Sequence, residues 1–202
     1  MNLALFDFDG TLTTEDTFTQ FITFATPRVR LVLGYMLLFP CIFLYKFGVI
    51  SASKMRRMIV RIAFWRANQA DVETLAEAFV KKRIPALMSV EMMVSLERHR
   101  QRGDRIVIVS ASLSVYLRHW AKQHNVELIC SELCVSNGRY TGTYRNGDCS
   151  GINKVKAIGK LIDLQDYETV YAYGDTEEDM PMLRLADKPF YKGKPLANKA
   201  FA

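Results

Sequence analysis

Polar clusters at the ends of three apolar runs carry the chemistry available to this chain. Asp7-Phe8-Asp9-Gly10-Thr11 follows Leu3-Ala4-Leu5-Phe6, Ser110-Ala111-Ser112 follows Arg105-Ile106-Val107-Ile108-Val109, and Gly174-Asp175, with Asp179 one turn further on, closes residues 169–173. Asp7 and Asp9 are two apart at an extended strand end, so they point the same way, and Asp175 can converge on them from a neighbouring strand. Carboxylates that close repel one another unless a cation joins them. A hard dication such as Mg²⁺, with oxygen ligands and retained waters, fits a set of Asp7, Asp9, Asp175 and Asp179 that offers no His or Cys.

The same residues can move a phosphoryl group. An Asp carboxylate attacks phosphorus to form an aspartyl-phosphate, which splits one hard displacement into two easier ones. A second Asp can protonate the leaving alkoxide and later deprotonate the attacking water. Charge on the transferring group would meet Mg²⁺, the Ser110 hydroxyl, Lys154 and the backbone N–H groups of the turn after Asp9, with Gly10 and Ala111 completing the phosphate-binding set. A lone DxD is usually a turn or a helix cap, and a lone Lys is usually solvated. The order of the clusters, each behind an apolar run, has no such ordinary explanation.

Elements that could position them follow from the hydrophobic pattern. Residues 3–8, 105–109 and 169–173 read as buried parallel strands, because they are apolar throughout rather than alternating. Residues 113–124 and 154–162 read as helices, and Asn137-Gly138 between two short strand-like runs is a hairpin signal. Residues 13–102 read as helices with breaks near Thr26-Pro27, Gly48 and Pro85. Strands alternating with helices predict an α/β fold, a doubly wound parallel sheet whose ligand lies beyond the carboxyl ends of the strands. The expected division is a catalytic core of residues 1–12 and 103–202, with a helical cap, residues 13–102, inserted after the first strand.

These motifs resemble those of the haloacid dehalogenase (HAD) superfamily of aspartyl-phosphate phosphatases, along nearly the whole chain. The resemblance implies a Rossmann-like core, Asp7 as nucleophile and Asp9 as acid and base. Ser110 matches the second motif, Lys154 the third, and Gly174-Asp175 with Asp179 the fourth. It also implies Mg²⁺ on the Asp7 carboxylate, the Asp9 main-chain carbonyl and Asp175, with Asp179 nearby or as a further ligand. The position of the insertion is similar to the phosphoserine phosphatase-like branch. Phe64-Trp65-Arg66, Gly151-Ile152-Asn153-Lys154-Val155 and Tyr171-Ala172-Tyr173-Gly174-Asp175 look like subfamily IB hydrolases, a group that includes a membrane-associated phosphatidylglycerophosphate phosphatase. In the phosphoserine branch an early cap carboxylate holds the substrate ammonium, and Glu15 or Asp16 is placed for that role.

Charge is unevenly distributed. Of 27 Lys and Arg against 21 Asp and Glu in 202 residues, eight basic residues and no acidic one fall between Thr17 and Ala70, which leaves the remainder at −2. Such asymmetry points to an anionic partner. Inside this window, residues 31–45 are uncharged and apolar all round. They are shorter than the ~20 needed to cross a bilayer, and Pro40 is expected to break or kink a helix there. Residues 53–66 then read as a basic amphipathic helix, with Lys54, Arg57 and Arg61 on one face and Met55, Met58, Ile59 and Ile62 on the other. Arg57 and Arg61 are thus further candidates for substrate contact.

The expected partner is a phosphorylated substrate, a lipid phosphate or a small soluble metabolite, with peripheral contact to anionic membrane. A nucleic-acid groove is not expected where fifteen apolar residues interrupt the basic ones. A phospho-accepting receiver domain would carry its acceptor on an inner strand and needs no cap. Four cysteines without a CxxC pattern, and no signal-peptide pattern, predict a cytoplasmic chain with reduced thiols, working at the inner face of the cell membrane if the window meets lipid. Monomer and dimer both fit, because the apolar run could be a dimer seam.

Overall fold

The computed structural model describes residues 1–196; residues 197–202, the end of the segment assigned to the core, lie outside the description. A six-stranded sheet has the order β3 (Glu127–Ser131), β2 (Arg105–Leu113), β1 (Leu3–Phe6), β6 (Val170–Gly174), β7 (Lys188–Tyr191) and β8 (Lys194–Pro195). The first five are parallel, and β8 alone runs antiparallel to its neighbour. This is the mostly parallel, helix-flanked sheet expected from the alternating pattern.

Both faces of the sheet are buried, which is why its central strands read as continuous apolar runs. Leu3 and Leu5 join Val107, Val109, Val170 and Ala172 on one face, under Ile158 of α8 (Ile152–Leu161) and Met182 and Leu183 of α9 (Met180–Leu183). Ala4 and Phe6 join Ile106, Ile108 and Tyr173 on the other. There they meet α6 (Val90–Gln101) and α7 (Ser114–Gln123). The same apolar cluster continues into α1 (Thr17–Ala25), α3 (Ala52–Phe64), α4 (Gln69–Lys82) and the short α5 (Ile84–Leu87) through Phe21, Val60, Phe64, Ala76, Phe79 and Ile84. The inserted helices are therefore fastened to the sheet by a shared interior.

The hairpin is where the sequence placed it. In β4 (Leu133–Ser136) and β5 (Arg139–Tyr144), Asn137 and Gly138 both have positive φ, 50° and 68°, as a two-residue turn of matching twist requires. It braces α3: the backbone of Arg61 comes so close to Gly142 that a Cβ there would lie 3.1 Å from it, and the Arg61 guanidinium donates to the Thr141 carbonyl at 2.7 Å.

Three readings need correction. The first strand ends at Phe6, after which residues 8–12 form a kinked turn with Gly10 at φ 77°. Strands β3 and β7 lie outside the sequence-derived set; β7 contains Pro189, which argues against a strand in sequence. Pro40 does not break its helix. In α2 (Arg28–Lys46) the chain continues through it; Pro40 is exposed, so the Met36 carbonyl that loses its N–H donor there faces water. Nineteen residues in α2 span about 28 Å at 1.5 Å per residue, and it is long and apolar enough to cross a membrane. Only Gly34 and Leu38 of α2 are buried, while Val32, Leu33, Met36, Leu37, Phe39 and Phe43 are exposed. The inner side packs on α3, where Gly34 allows close approach: a Cβ there would lie 2.8 Å from Ile62.

Candidate active site

The site lies beyond the carboxyl ends of β1, β2 and β6. Asp7 is the first residue past β1, and its N–H donates to the Tyr173 carbonyl of β6 at 2.9 Å. One carboxylate oxygen from each of Asp7, Asp175 and Asp179 lies within 4.8 Å of the others. Two glycines permit this packing. A Cβ on Gly10 would lie 2.2 Å from an Asp175 oxygen, and one on Gly174 would lie 2.5 Å from Asp179 Cβ.

Lys154, in the first turn of α8, supplies the counter-charge. Its buried ammonium donates to Asp7, and to Asp179 at 2.6 Å. Burial acts to lower the pKa of that ammonium, but Asp7 and Asp179 outweigh it and raise the pKa. Asp179 runs the other way: burial would raise it, yet Lys154 and the donors of Thr176 bring it below the ordinary value. For Asp7, burial raises the carboxyl and Lys154 only partly offsets it. Burial also raises Asp175, with Asp179 adding to the effect, while the Thr11 hydroxyl opposes it from 3.3 Å. A group of carboxylates that burial and mutual repulsion make hard to ionise together is stabilised by a dication. The all-oxygen donor set of Asp7, Asp175 and Asp179 thus fits Mg²⁺.

Asp9 is held differently. Thr17 donates to one of its oxygens from the backbone N–H at 2.6 Å and from the hydroxyl at 2.5 Å, and Ser112 donates to the other at 2.5 Å. The Thr17 hydroxyl also lies 2.8 Å from the Tyr116 hydroxyl. These bonds engage both Asp9 carboxylate oxygens, and Asp9 is not part of the Asp7, Asp175 and Asp179 group, although both Asp7 and Asp9 line one cavity. Burial raises the Asp9 pKa against the opposing hydroxyls of Ser112 and Thr17. A carboxyl so raised is suited to carrying a proton to a leaving group.

A cavity of about 530 Å³ joins these groups. Gly10, Glu15, Asp16, Ala111 and Lys154 line it, as the sequence suggested, together with Phe18, Tyr45, Met55 and Ile59. Asp16 also caps α1 through the Phe18 N–H. Ser110 is buried and is not among the lining residues; its hydroxyl accepts from the Ser112 N–H at 3.0 Å, so Ser112 is the serine that lines the cavity. Arg57 and Arg61 line a separate surface hollow beside β5. The arginine on the catalytic cavity is Arg56, which bonds Asp148 at 3.0 Å and Glu178 at 2.9 Å and ties α3 to the loops preceding α8 and following β6. Helical phase in α3 could have separated Arg56 from Arg57; nothing in one sequence says which face is inward.

A family model for haloacid dehalogenase-like hydrolases matches residues 4–184. The chain belongs to that family. Among curated proteins, this HAD hydrolase is similar to protein CicA of Caulobacter vibrioides, 31% identical over 199 residues, which covers 96% of this chain and 88% of CicA. A protein of unknown function from Bordetella pertussis Tohama I has the same fold at a TM-score of 0.75 and 22% identity, over 93% of this chain and 88% of that one. So does a probable phosphoserine phosphatase from Vibrio cholerae, at 0.70 and 16%, over 94% and 55%. These last two likenesses concern the fold.

Proposed function

We propose that this HAD hydrolase is a Mg²⁺-dependent phosphomonoesterase whose substrate is a lipid phosphate such as phosphatidylglycerophosphate. Asp7 attacks the phosphorus while Asp9 protonates the departing alkoxide; Asp9 then takes a proton from the water that releases phosphate from Asp7. Lys154 orients Asp7 and, with backbone N–H groups of the turn at Gly10 and the neighbouring Ala111, meets charge on the phosphoryl oxygens. When bound by Asp7, Asp175, Asp179 and the Asp9 carbonyl, Mg²⁺ would neutralise the incoming anion and polarise its oxygens. The segments 1–12 and 103–202 supply this chemistry, and the insertion 13–102 supplies the surroundings of the leaving group.

The observation that carries the lipid reading is the position of α2. Its Tyr45 lines the catalytic cavity, while the rest of its outer side is exposed and apolar between Arg28, Arg30 and Lys46. An exposed apolar surface of this extent marks an interaction site, and basic flanks favour an anionic leaflet. The protein then works at the inner face of the cell membrane. Glu15 and Asp16 favour a second reading, a soluble phosphate ester bearing an amine, since both carboxylates line the cavity.

Phosphate release from phosphatidylglycerophosphate in mixed micelles, measured beside phosphoserine and other soluble esters, separates the two. The lipid is expected to exceed every soluble ester in kcat/KM by at least tenfold. Preference for a soluble amine-bearing ester would establish the second reading instead.

A further inference from the structure

A second cavity, of about 220 Å³, runs between α1, α2 and α3. Ile22 of α1, Leu31, Leu38 and Ile42 of α2, and Ile62 and Ala63 of α3 line it. Among its polar neighbours, the Thr23 hydroxyl donates to the Thr19 carbonyl at 2.9 Å and Arg30 donates to the carbonyls of Ala63 and Trp65 at 3.0 and 3.2 Å, while the buried Thr26 hydroxyl has no partner among the described residues. Thr19, Tyr45, Met55 and Ile59 line both this cavity and the catalytic one, so the two are neighbours. Thr26 and Arg30, on either side of Pro27, line the second cavity and not the catalytic one, so the apolar space leads from the shared residues toward the Thr26–Pro27 turn.

We propose that this space receives one hydrocarbon chain of the substrate, with the phosphate held at Asp7 and Lys154. The inference rests on the lipid-phosphate reading and deepens it by assigning the chain to the inner side of α2. Three observations select that occupant. The cavity adjoins the one that holds Asp7 and Lys154, across Thr19, Tyr45, Met55 and Ile59. Its wall is mostly methyl and methylene groups with no free charge, a setting in which an apolar ligand gains from leaving water. Its outer wall is α2, whose other side is the exposed apolar face, so a chain leaving a bilayer would exchange one apolar surface for another. The polar head then stays in the cavity that holds Arg56, Lys154 and the carboxylates.

Monoalkyl phosphates from butyl to dodecyl, assayed below their aggregation concentrations, test this with the full chain and Mg²⁺. Wild-type kcat/KM is expected to climb at least tenfold along the series. Ile42→Trp fills the cavity from α2, and Thr23→Trp fills it from the exposed rim on α1, where a larger side chain is tolerated sterically; in both the climb is expected to flatten to less than threefold. Hydrolysis of butyl phosphate reports that each variant is folded. Val94→Trp, on α6 and outside the cavity, is expected to keep the full climb. If wild type and both cavity variants climb alike, the chain takes another route and this assignment fails while the lipid reading stands. A flat series in wild type, with butyl phosphate turned over as well as dodecyl phosphate, overturns both.

Discussion

Lys154 joins Asp7 to Asp179 by donating from one buried ammonium to a carboxylate oxygen of each. Neither carboxylate could stay buried and ionised at this spacing without that cation or a metal, since an unpaired buried charge costs several kcal/mol. Lys154→Met should therefore do two things. It should lower kcat by about 10²–10³, the usual cost of losing one preorganised donor. It should also destabilise the Mg²⁺-free protein by about 3 kcal/mol, through two carboxylates left facing one another. Urea unfolding with and without Mg²⁺ separates these effects: added Mg²⁺ should restore most of the stability and little of the rate. Full activity in Lys154→Met would remove Lys154 from the site.

The bonds from Thr17 and Ser112 to Asp9 predict a leaving-group effect. Asp9→Asn keeps the shape of the side chain and removes the proton it transfers. For an alkyl phosphate, kcat/KM should fall by about 10²–10⁴, the range expected when a general acid is lost. For an aryl phosphate with a strongly acidic phenol, which departs without protonation, the fall should be at least tenfold smaller. Equal losses on both substrates would mean that Asp9 positions the substrate and transfers no proton.

Much of this site was legible because parallel strands place their polar residues at one edge of the sheet, so Asp7, Asp9, Asp175, Asp179 and Lys154 could be grouped before any coordinates. The sheet itself was legible at β1, β2 and β6, whose continuous apolar runs need both faces covered. What escaped depends on contacts between distant segments. Ser110 and Ser112 are two apart and would share a face of a regular strand, but the register shifts after Ser110, and it is Ser112 that bonds Asp9. Arg56 and Arg57 are neighbours in sequence, yet α3 turns the first toward Asp148 and Glu178 and the second toward the hollow beside β5. The path of α2 through Pro40 could not be read either, since whether water can reach the carbonyl that proline leaves unpaired depends on the burial of that turn.

A buried histidine that does not line the catalytic cavity is expected to give the fold a pH dependence. His99 lies 2.8 Å from Asp104 and 2.9 Å from the Tyr173 hydroxyl, with Arg102 at 2.7 Å. Burial lowers its pKa, and the Arg102 charge adds to this, while Asp104 opposes it. The unfolded chain therefore binds this proton more tightly than the folded one. Stability from His99 is fully present above the unfolded pKa of about 6.5 and is lost as pH falls below it. The midpoint of urea unfolding should drop between pH 7 and pH 5.5, with a slope of at most ~1.4 kcal/mol per pH unit for one proton. His99→Gln should flatten that slope relative to wild type; an unchanged slope would assign the dependence to other groups.

The central claim is that Asp7 becomes phosphorylated during turnover. Rapid mixing of enzyme, Mg²⁺ and excess substrate, acid quenching within the first turnover and peptide mass spectrometry would locate the phosphate. The account predicts a hydroxylamine-sensitive phosphoryl group on the peptide that carries Asp7, absent from Asp7→Asn and, with an aryl phosphate that departs without protonation, more abundant in Asp9→Asn, where its hydrolysis loses the general base. Turnover by wild type with no protein-bound phosphate at any quench time, or a phosphate found on Asp9 or Ser112, would contradict it.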